Sequence, residues 1–232
     1  MNILCTICAR KGSKGLRNKN FLKLNGKELF WHTYNQAKKI KAISNIVIST
    51  DSQSFIKKIK SKKIDIFFER PKFLSGSQIG KVPVIRHAVK KAENYYKKKF
   101  DIIMDLDVSS PLRNIKDIKN CLKMFKNKES TNLITGTKSR KNPYFNMIEI
   151  SKNKVKLSKK HNKNIVRRQH APIVYEMNAS IYLWKRNYLL KNNKLFTKTT
   201  LFYEMPYERS VDIDSYIDFK IVKLLMKNEK KN

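Results

Sequence analysis

The sequence predicts an α/β fold, a mostly parallel β-sheet with helices packed on both faces. Two observations carry that expectation. Through the first half of the 232-residue chain, apolar runs of strand length alternate with segments of helical period, the βαβα order that parallel sheets require. The residues best suited to hold charged ligands also fall directly after the strand candidates, where such sheets bind what they bind. With 41% hydrophobic residues a chain of this length can bury one core, so a single domain over 1–232 is expected, with an inserted arm at 138–175.

In chain order, Asn2–Cys8 reads as the first strand. It is followed by the loop Ala9-Arg10-Lys11-Gly12-Ser13-Lys14-Gly15-Leu16-Arg17-Asn18-Lys19-Asn20. Glycines that let backbone N–H groups turn inward, among Arg10, Lys14, Arg17 and Lys19, suit a polyphosphate; an exposed basic loop is the plainer alternative. The loop is neither a Walker loop nor GxGxxG. Further strand candidates are Asn45–Ser49, Ile64–Phe68, Asp101–Leu106 and Asn132–Thr135, separated by helix candidates Glu28–Ile40, Ser52–Lys60, Pro83–Tyr96 and Ile115–Phe125. In Pro83–Tyr96, Val84, Ile85, Ala88, Val89 and Ala92 keep the rhythm of one buried face, and Pro83 suits a first turn. After the second strand, Asp51 or Ser52 is read as a helix cap. The fourth strand ends in Asp105-Leu106-Asp107, and carboxylates two apart on a strand share a face. That pair either holds a hard cation or serves local hydrogen bonding. The alternation predicts a Rossmann-like arrangement.

Lys138 to Tyr175 breaks the rhythm. It is basic and without clear periodicity, hence disordered, a lid, or an arm that orders on a partner subunit. Tyr144, Phe145, Met147, Ile148 and Ile150 argue against disorder. Alternation returns at Asn178–Trp184, and Glu208–Tyr216 leads into a last helix with Ile217, Ile221, Leu224 and Leu225 on one side. Asp212 and Asp214 form a second carboxylate pair at that helix's start, where Asp214 or Ser215 could also cap it.

The net charge of +34 comes from 52 basic and 18 acidic residues. The excess is mostly Lys spread along the whole chain beside abundant Asn and Ile, the pattern an AT-rich genome imposes. It favours anionic ligands in general, and neither a nucleic-acid partner nor a membrane is predicted. No apolar run approaches a membrane span, and the chain enters its first strand at once, so no signal peptide is read and the cytoplasm is expected. Cys5, Cys8 and Cys121 show no zinc-type pairing and read as buried thiols in a reducing compartment.

The Ala9–Asn20 loop, Glu69-Arg70-Pro71, Ser109-Ser-Pro-Leu-Arg113, Asn178-Ala-Ser-Ile-Tyr182 and Arg209-Ser-Val-Asp-Ile-Asp214 together resemble, in order and spacing, the CMP-sialic acid synthetase family of cytidylyltransferases. The resemblance spans nearly the whole chain. It implies a nucleotide-diphospho-sugar transferase type of fold and a reaction in which CTP and a nine-carbon 2-keto sugar acid give a CMP-sugar and pyrophosphate. The anomeric hydroxyl attacks the α-phosphate with Mg²⁺ assistance. On this resemblance Arg10, Lys14 and Lys19 hold the triphosphate, with Lys19 nearest the reacting phosphate. Asn20 and Arg70 contact the nucleotide, Arg70 near cytosine. Arg168 is sugar-side, Asn178 belongs to the substrate-binding strand, and Asp212 and Asp214 bind the metal, Asp212 counting with Lys19 and Arg10 as catalytic. The 138–175 arm corresponds to the segment through which family members form homodimers.

Two departures bear on the sugar. Asp107-Val108 stands where sialic acid enzymes carry Gln-Pro, so Asp107 is a sugar or metal contact. Glu176 stands where they tend to carry Arg. The Asp-Leu-Asp-x-x-Ser-Pro form most resembles the branch acting on legionaminic acid. A cytidylyltransferase for the eight-carbon acid KDO is the nearest alternative, and a basic nucleic-acid-binding protein is the alternative from another class.

Overall fold

The computed structural model describes residues 1–12, 15–16 and 18–228. The chain runs through β1 (Ile3–Cys8), a small hairpin of β2 (Lys23–Leu24) and β3 (Lys27–Glu28), α1 (Leu29–Lys38), β4 (Asn45–Ser49), α2 (Gln53–Ser61), α3 (Lys81–Tyr96), β5 (Ile102–Leu106) and α4 (Ile115–Lys126). It continues through β6 (Asn132–Lys138), β7 (Ile148–Ser151), β8 (Lys154–Leu157), β9 (Tyr175–Met177), β10 (Ile181–Lys185), α5 (Arg186–Lys191), β11 (Leu201–Glu204) and α6 (Tyr216–Asn228).

The central sheet has seven strands in the order β11-β6-β10-β5-β1-β4, with β9 paired beside β6. β1 lies between parallel neighbours β4 and β5, and β11 is parallel to β6. β10 runs against both β5 and β6, and β9 runs against β6, so the sheet is mostly parallel in strand direction with β10 inserted the other way. Alternation along β1 feeds a core on each face. Cys5 and Ile7 pack with α1, α2, α4 and α6, while Leu4 packs with Ile85, Val89 and Ala92 of α3 and Leu189 of α5. The cysteines are free; Cys5 and Cys121 are buried and Cys8 half-buried, and burial raises all three thiols well above their ordinary range. Among the described residues no helix is long and apolar enough to cross a membrane.

Four expectations need correction. Ile64–Phe68 forms no ladder: its aromatics pack on α3, Phe67 stacking at 4.0 Å on Tyr95 and Phe68 meeting His87 at 5.4 Å, so Ile66 is buried and both Phe side chains half-buried without strand pairing. α3 starts at Lys81 rather than Pro83; a proline within the first turn loses no helical donor, because those N–H groups have no partner in any helix. The strand expected from Asn178 pairs only from Ile181, because Ala179 takes a left-handed φ of 50° and breaks the extended run. The arm is not wholly irregular either. β7 and β8 form a hairpin turning at Lys152 and Asn153, both at positive φ, as tight two-residue hairpin turns require. One face of that hairpin aligns Ile148 with Leu157 and Ile150 with Val155, all exposed.

Candidate active site

The C-terminal ends of β1, β4 and β5 open onto one cleft, lined among others by Arg10, Lys19, Arg70, Lys81, Asp107 and Asp212. The cleft brings Asp107 and Asp212 together with Arg10, Lys19, Arg70 and Lys81 at the strand ends where sheets of this type bind ligands.

The wall facing β1 is the opening loop. Lys11 N donates to Asp51 Oδ1 at 2.7 Å, which fixes the loop's start against the end of β4. Asp51 therefore holds this loop rather than capping α2, and Ser52, at the cap position, makes no side-chain capping bond either. Arg10 reaches across the mouth to the Gly76 carbonyl at 3.2 Å. Buried Asn20 donates to the Arg10 carbonyl at 3.1 Å, so its amide shapes the loop from behind. Lys19 donates to the Ile213 carbonyl at 2.8 Å and to Asp214 Oδ1 at 2.6 Å. Gly15 lies so close that a Cβ there would sit 2.3 Å from the Asp214 carbonyl oxygen; no side chain fits. Loop and acidic segment, nearly two hundred residues apart in sequence, thus form one structural unit. Lys14, Arg17 and Ser13 lie outside the described residues.

Arg70 is buried at the cleft's edge. Its Nε and Nη2 donate to Ser49 Oγ and the Ser49 carbonyl at 3.0 and 2.6 Å, and its own N–H to the Thr50 carbonyl at 2.8 Å, anchoring it to the end of β4.

The floor is acidic. Asp105 is buried at the end of β5 and accepts from Thr6 Oγ1 at 2.6 Å. Asp107, two residues on, shares its face, and both meet Lys81 Nζ: Asp107 Oδ2 at 2.6 Å and Asp105 Oδ2 at 3.0 Å. Burial works against the charge on Asp107. Lys81, together with the Ser109 N–H and hydroxyl at 2.9 and 2.7 Å, overcomes it and holds the carboxyl well below its usual range. Burial likewise opposes the Lys81 ammonium, but Asp107 and Asp105 hold it above its ordinary range. Ile213 N donates to the Ser109 carbonyl at 2.9 Å and thereby seats Asp212 beside this group. Burial, reinforced by the charge of Asp107, pushes Asp212 up to about 6, and its Oδ1 is buried without a hydrogen-bond partner.

That oxygen, in a residue lining the cleft, is available to a cation. Among the described residues no three His, Cys, Asp or Glu side chains form a ready-made metal cage. A hard ion such as Mg²⁺ is commonly held by one or two carboxylates plus phosphate oxygens, and Asp212 fits that use. Asp214 is placed differently: its side chain is 76% exposed and paired with Lys19.

Other expected residues belong to the frame. Asn178 accepts from Thr135 Oγ1 and Ser180 N and donates to Ser210 Oγ and Met205 Sδ, so its amide is fully engaged behind the site. Arg113 is buried between Ser180 and Thr33, and burial lowers its guanidinium to about 10. Arg209 grips Asp117 through two bonds at 2.9 and 3.0 Å, and Asp117 also closes the capping box of α4 with Asn114. Arg168 sits exposed on the arm, donating to the Ser139 carbonyl at 3.3 Å, and does not line the cleft of this chain. Lys81 was not singled out from sequence. Its signal is a basic residue in the first turn of a helix, where the positive end of the helix dipole disfavours it.

The sequence matches the family model described as "Cytidylyltransferase" over residues 4–230. It is 44% identical over 227 residues to a post-translational flagellin modification protein B of Campylobacter coli (98% of this chain, 96% of that one). It is 45% identical over 224 residues to a CMP-N,N'-diacetyllegionaminic acid synthase of Campylobacter jejuni (97% and 94%). An Escherichia coli N-acylneuraminate cytidylyltransferase is 28% identical over 225 residues, 94% of this chain and 51% of the relative. In fold, the chain is similar to a solved CMP:2-keto-3-deoxy-manno-octonic acid synthetase complexed with CTP, with a TM-score of 0.70, 15% identity, and coverage of 99% of this chain and 100% of that one.

Proposed function

The chain belongs to the cytidylyltransferase family, and we propose that it condenses CTP with a nine-carbon 2-keto sugar acid, legionaminic acid ahead of N-acetylneuraminic acid, releasing pyrophosphate. One observation carries the nucleotidyl-transfer reading: the basic loop after β1 is locked onto the Asp212–Asp214 segment through Lys19 and Gly15. Cations for a triphosphate and carboxylates for its counter-ion thereby share one cleft. Such transfers leave the protein little covalent work, so positioning and charge neutralisation dominate.

In this reading Arg10 and Lys19, with Lys14, take the triphosphate, and the Lys19 ammonium exchanges the Asp214 carboxylate for phosphate oxygens. Asn20 keeps the loop in shape, and Arg70, fixed on Ser49, lies where the base approaches. Mg²⁺, held by Asp212 with Asp214 beside it, would supply neutralisation of the phosphate charge. The sugar hydroxyl is then presented to the α-phosphate from the side of Asp107.

The preference for legionaminic acid is supported by Asp107 standing where a neutral Gln is expected for N-acetylneuraminate, and by the 45% identity to the diacetyllegionaminic acid synthase. We further propose a homodimer formed through the arm. The exposed apolar face of the β7–β8 hairpin supports it, since an isolated two-stranded hairpin is marginal in water without something to cover that face. Arg168, on the same arm, would then act in the partner's cleft. The test is pyrophosphate release from CTP with legionaminate, N-acetylneuraminate, pseudaminate and KDO offered in parallel. Highest kcat/KM with legionaminate is expected. Preference for KDO would move the chain to the eight-carbon enzymes, and no release with any of the acids would overturn the reading.

A further inference from the structure

We propose that Lys81 is a resident cation: its ammonium takes the place that Asp105 and Asp107 would otherwise offer a divalent ion, leaving Asp212 as the anchor of a single metal. The inference rests on the reading of the cleft as a Mg²⁺-assisted nucleotidyl-transfer centre.

The geometry makes the case. Asp105 and Asp107 face one another across Lys81 and Asp212 lines the same cleft, although among the described residues no three acidic side chains are grouped as a metal cage. Two-metal sites for phosphoryl chemistry hold ions about 3.5–4 Å apart between such carboxylates. Here Asp105 and Asp107 each turn an oxygen toward Lys81 Nζ, at 3.0 and 2.6 Å. An ammonium and a divalent ion cannot both lie within contact distance of the same two oxygens. The Tyr182 ring, 4.9 Å from Nζ, and the Ala179 carbonyl at 3.4 Å complete a cation's surroundings. Arg113, buried near the same floor, hydrogen-bonds to Ser180 and Thr33 and, among the described residues, makes no direct ion pair with the two carboxylates, although their charge acts on it.

Lys81 also stands against a local rule. It occupies the first turn of a 16-residue helix that has no acidic residue there, where the helix dipole repels it. The carboxylates offset that cost, and the helix end adds its own partial positive charge to the same spot. Asp212 lies outside the embrace: Lys81 pairs with Asp105 and Asp107 and makes no contact with Asp212 among the described residues. One cation is thus built in, and one has to be supplied.

The experiment is a Mn²⁺ titration of the full chain followed by the electron paramagnetic resonance signal of free Mn²⁺. CTP is omitted, so a chain that failed to turn over CTP would still give a metal count, and failure of the functional reading stays separate. Lys81→Met is expected to bind one ion more than the wild type, and Lys81→Arg, which keeps the charge, to match the wild type. An equal count in wild type and Lys81→Met, or an extra ion in Lys81→Arg, overturns the proposal. Should Lys81→Met fail to fold without metal, recovery of the native circular dichroism spectrum on adding Mn²⁺ supports the assignment, and no recovery overturns it.

Discussion

Replacing Asp212 by Asn should separate activity from stability in opposite directions. Burial and the neighbouring charge of Asp107 raise the Asp212 carboxyl from 3.8 to about 6. The folded state therefore binds this proton more tightly than the unfolded chain does. Between roughly pH 4 and 6 the wild type loses stability as the pH rises, and above about 6 it carries the full cost of an ionised carboxylate. A shift of roughly two units at about 1.4 kcal/mol each sets that cost at about 3 kcal/mol. Asn keeps the shape and removes the charge, so without metal at pH 7.5 the variant should be more stable by up to about 3 kcal/mol, and the gain should vanish near pH 4. For a chain of this size that is a rise of up to about 6–12 °C in melting temperature. Turnover should fall by about 10²–10³-fold, the usual cost of losing one electrostatic contributor to a transition state. The assay is thermal unfolding of both proteins in EDTA at several pH values, alongside pyrophosphate release with Mg²⁺. A variant no more stable than wild type at pH 7.5, or a difference independent of pH, would refute the placement of Asp212 as a carboxylate whose charge its surroundings oppose on balance.

The remaining predictions concern the loop and the arm. Lys19→Ala should lower turnover by about 10²–10³-fold. Its melting temperature should stay near that of wild type, since a pair whose carboxylate is 76% exposed contributes at most about 1 kcal/mol; unchanged kinetics would remove Lys19 from the triphosphate site. Gly15→Ala forces loop and acidic segment apart, and a misplacement of about 1 Å should cost about 10²-fold in kcat/KM for CTP. Wild-type kinetics in that variant would mean the two segments do not act together. Ile150→Asp puts a charge on the exposed apolar face of the hairpin and should turn a dimer into monomers in sedimentation velocity. A monomeric wild type, or a variant that remains dimeric, would count against the arm as the interface.

How much of this was legible in the sequence depends on whether a residue's partner was local. β1, β4, β5, α2 and α4 were readable nearly to the residue, because period and length are properties of the segment itself. The Asp105/Asp107 pairing was readable for the same reason, since strand alternation alone puts both on one face. Ile64–Phe68 had the right alternation, yet its aromatics found α3 and its backbone found no ladder. The β7–β8 hairpin was hidden in a basic stretch, although Ile148-Glu-Ile-Ser followed two residues later by Lys154-Val-Lys-Leu carries the period of two. The motif residues divided along the same line. Type and order could suggest that Arg113, Asn178 and Arg209 matter, but only the fold reveals that each is spent on the frame.

Lys81 argues for a different way of reading such chains. In a protein this rich in lysine, one more lysine carries no compositional signal, so the informative question is where a lysine costs something. A lysine on a solvated helix face costs nothing and means nothing. One in the first turn of a long helix, with no acidic neighbour in that turn, opposes the dipole and persists only if something beyond the helix compensates it. The compensation is the pair Asp105 and Asp107, the first buried and the second half-buried, both in contact with the ammonium. Each group is unfavourable alone and accounted for by the others. The sequence places Lys81 two residues ahead of the expected helix, so this violation shows only once the structure extends the helix to it.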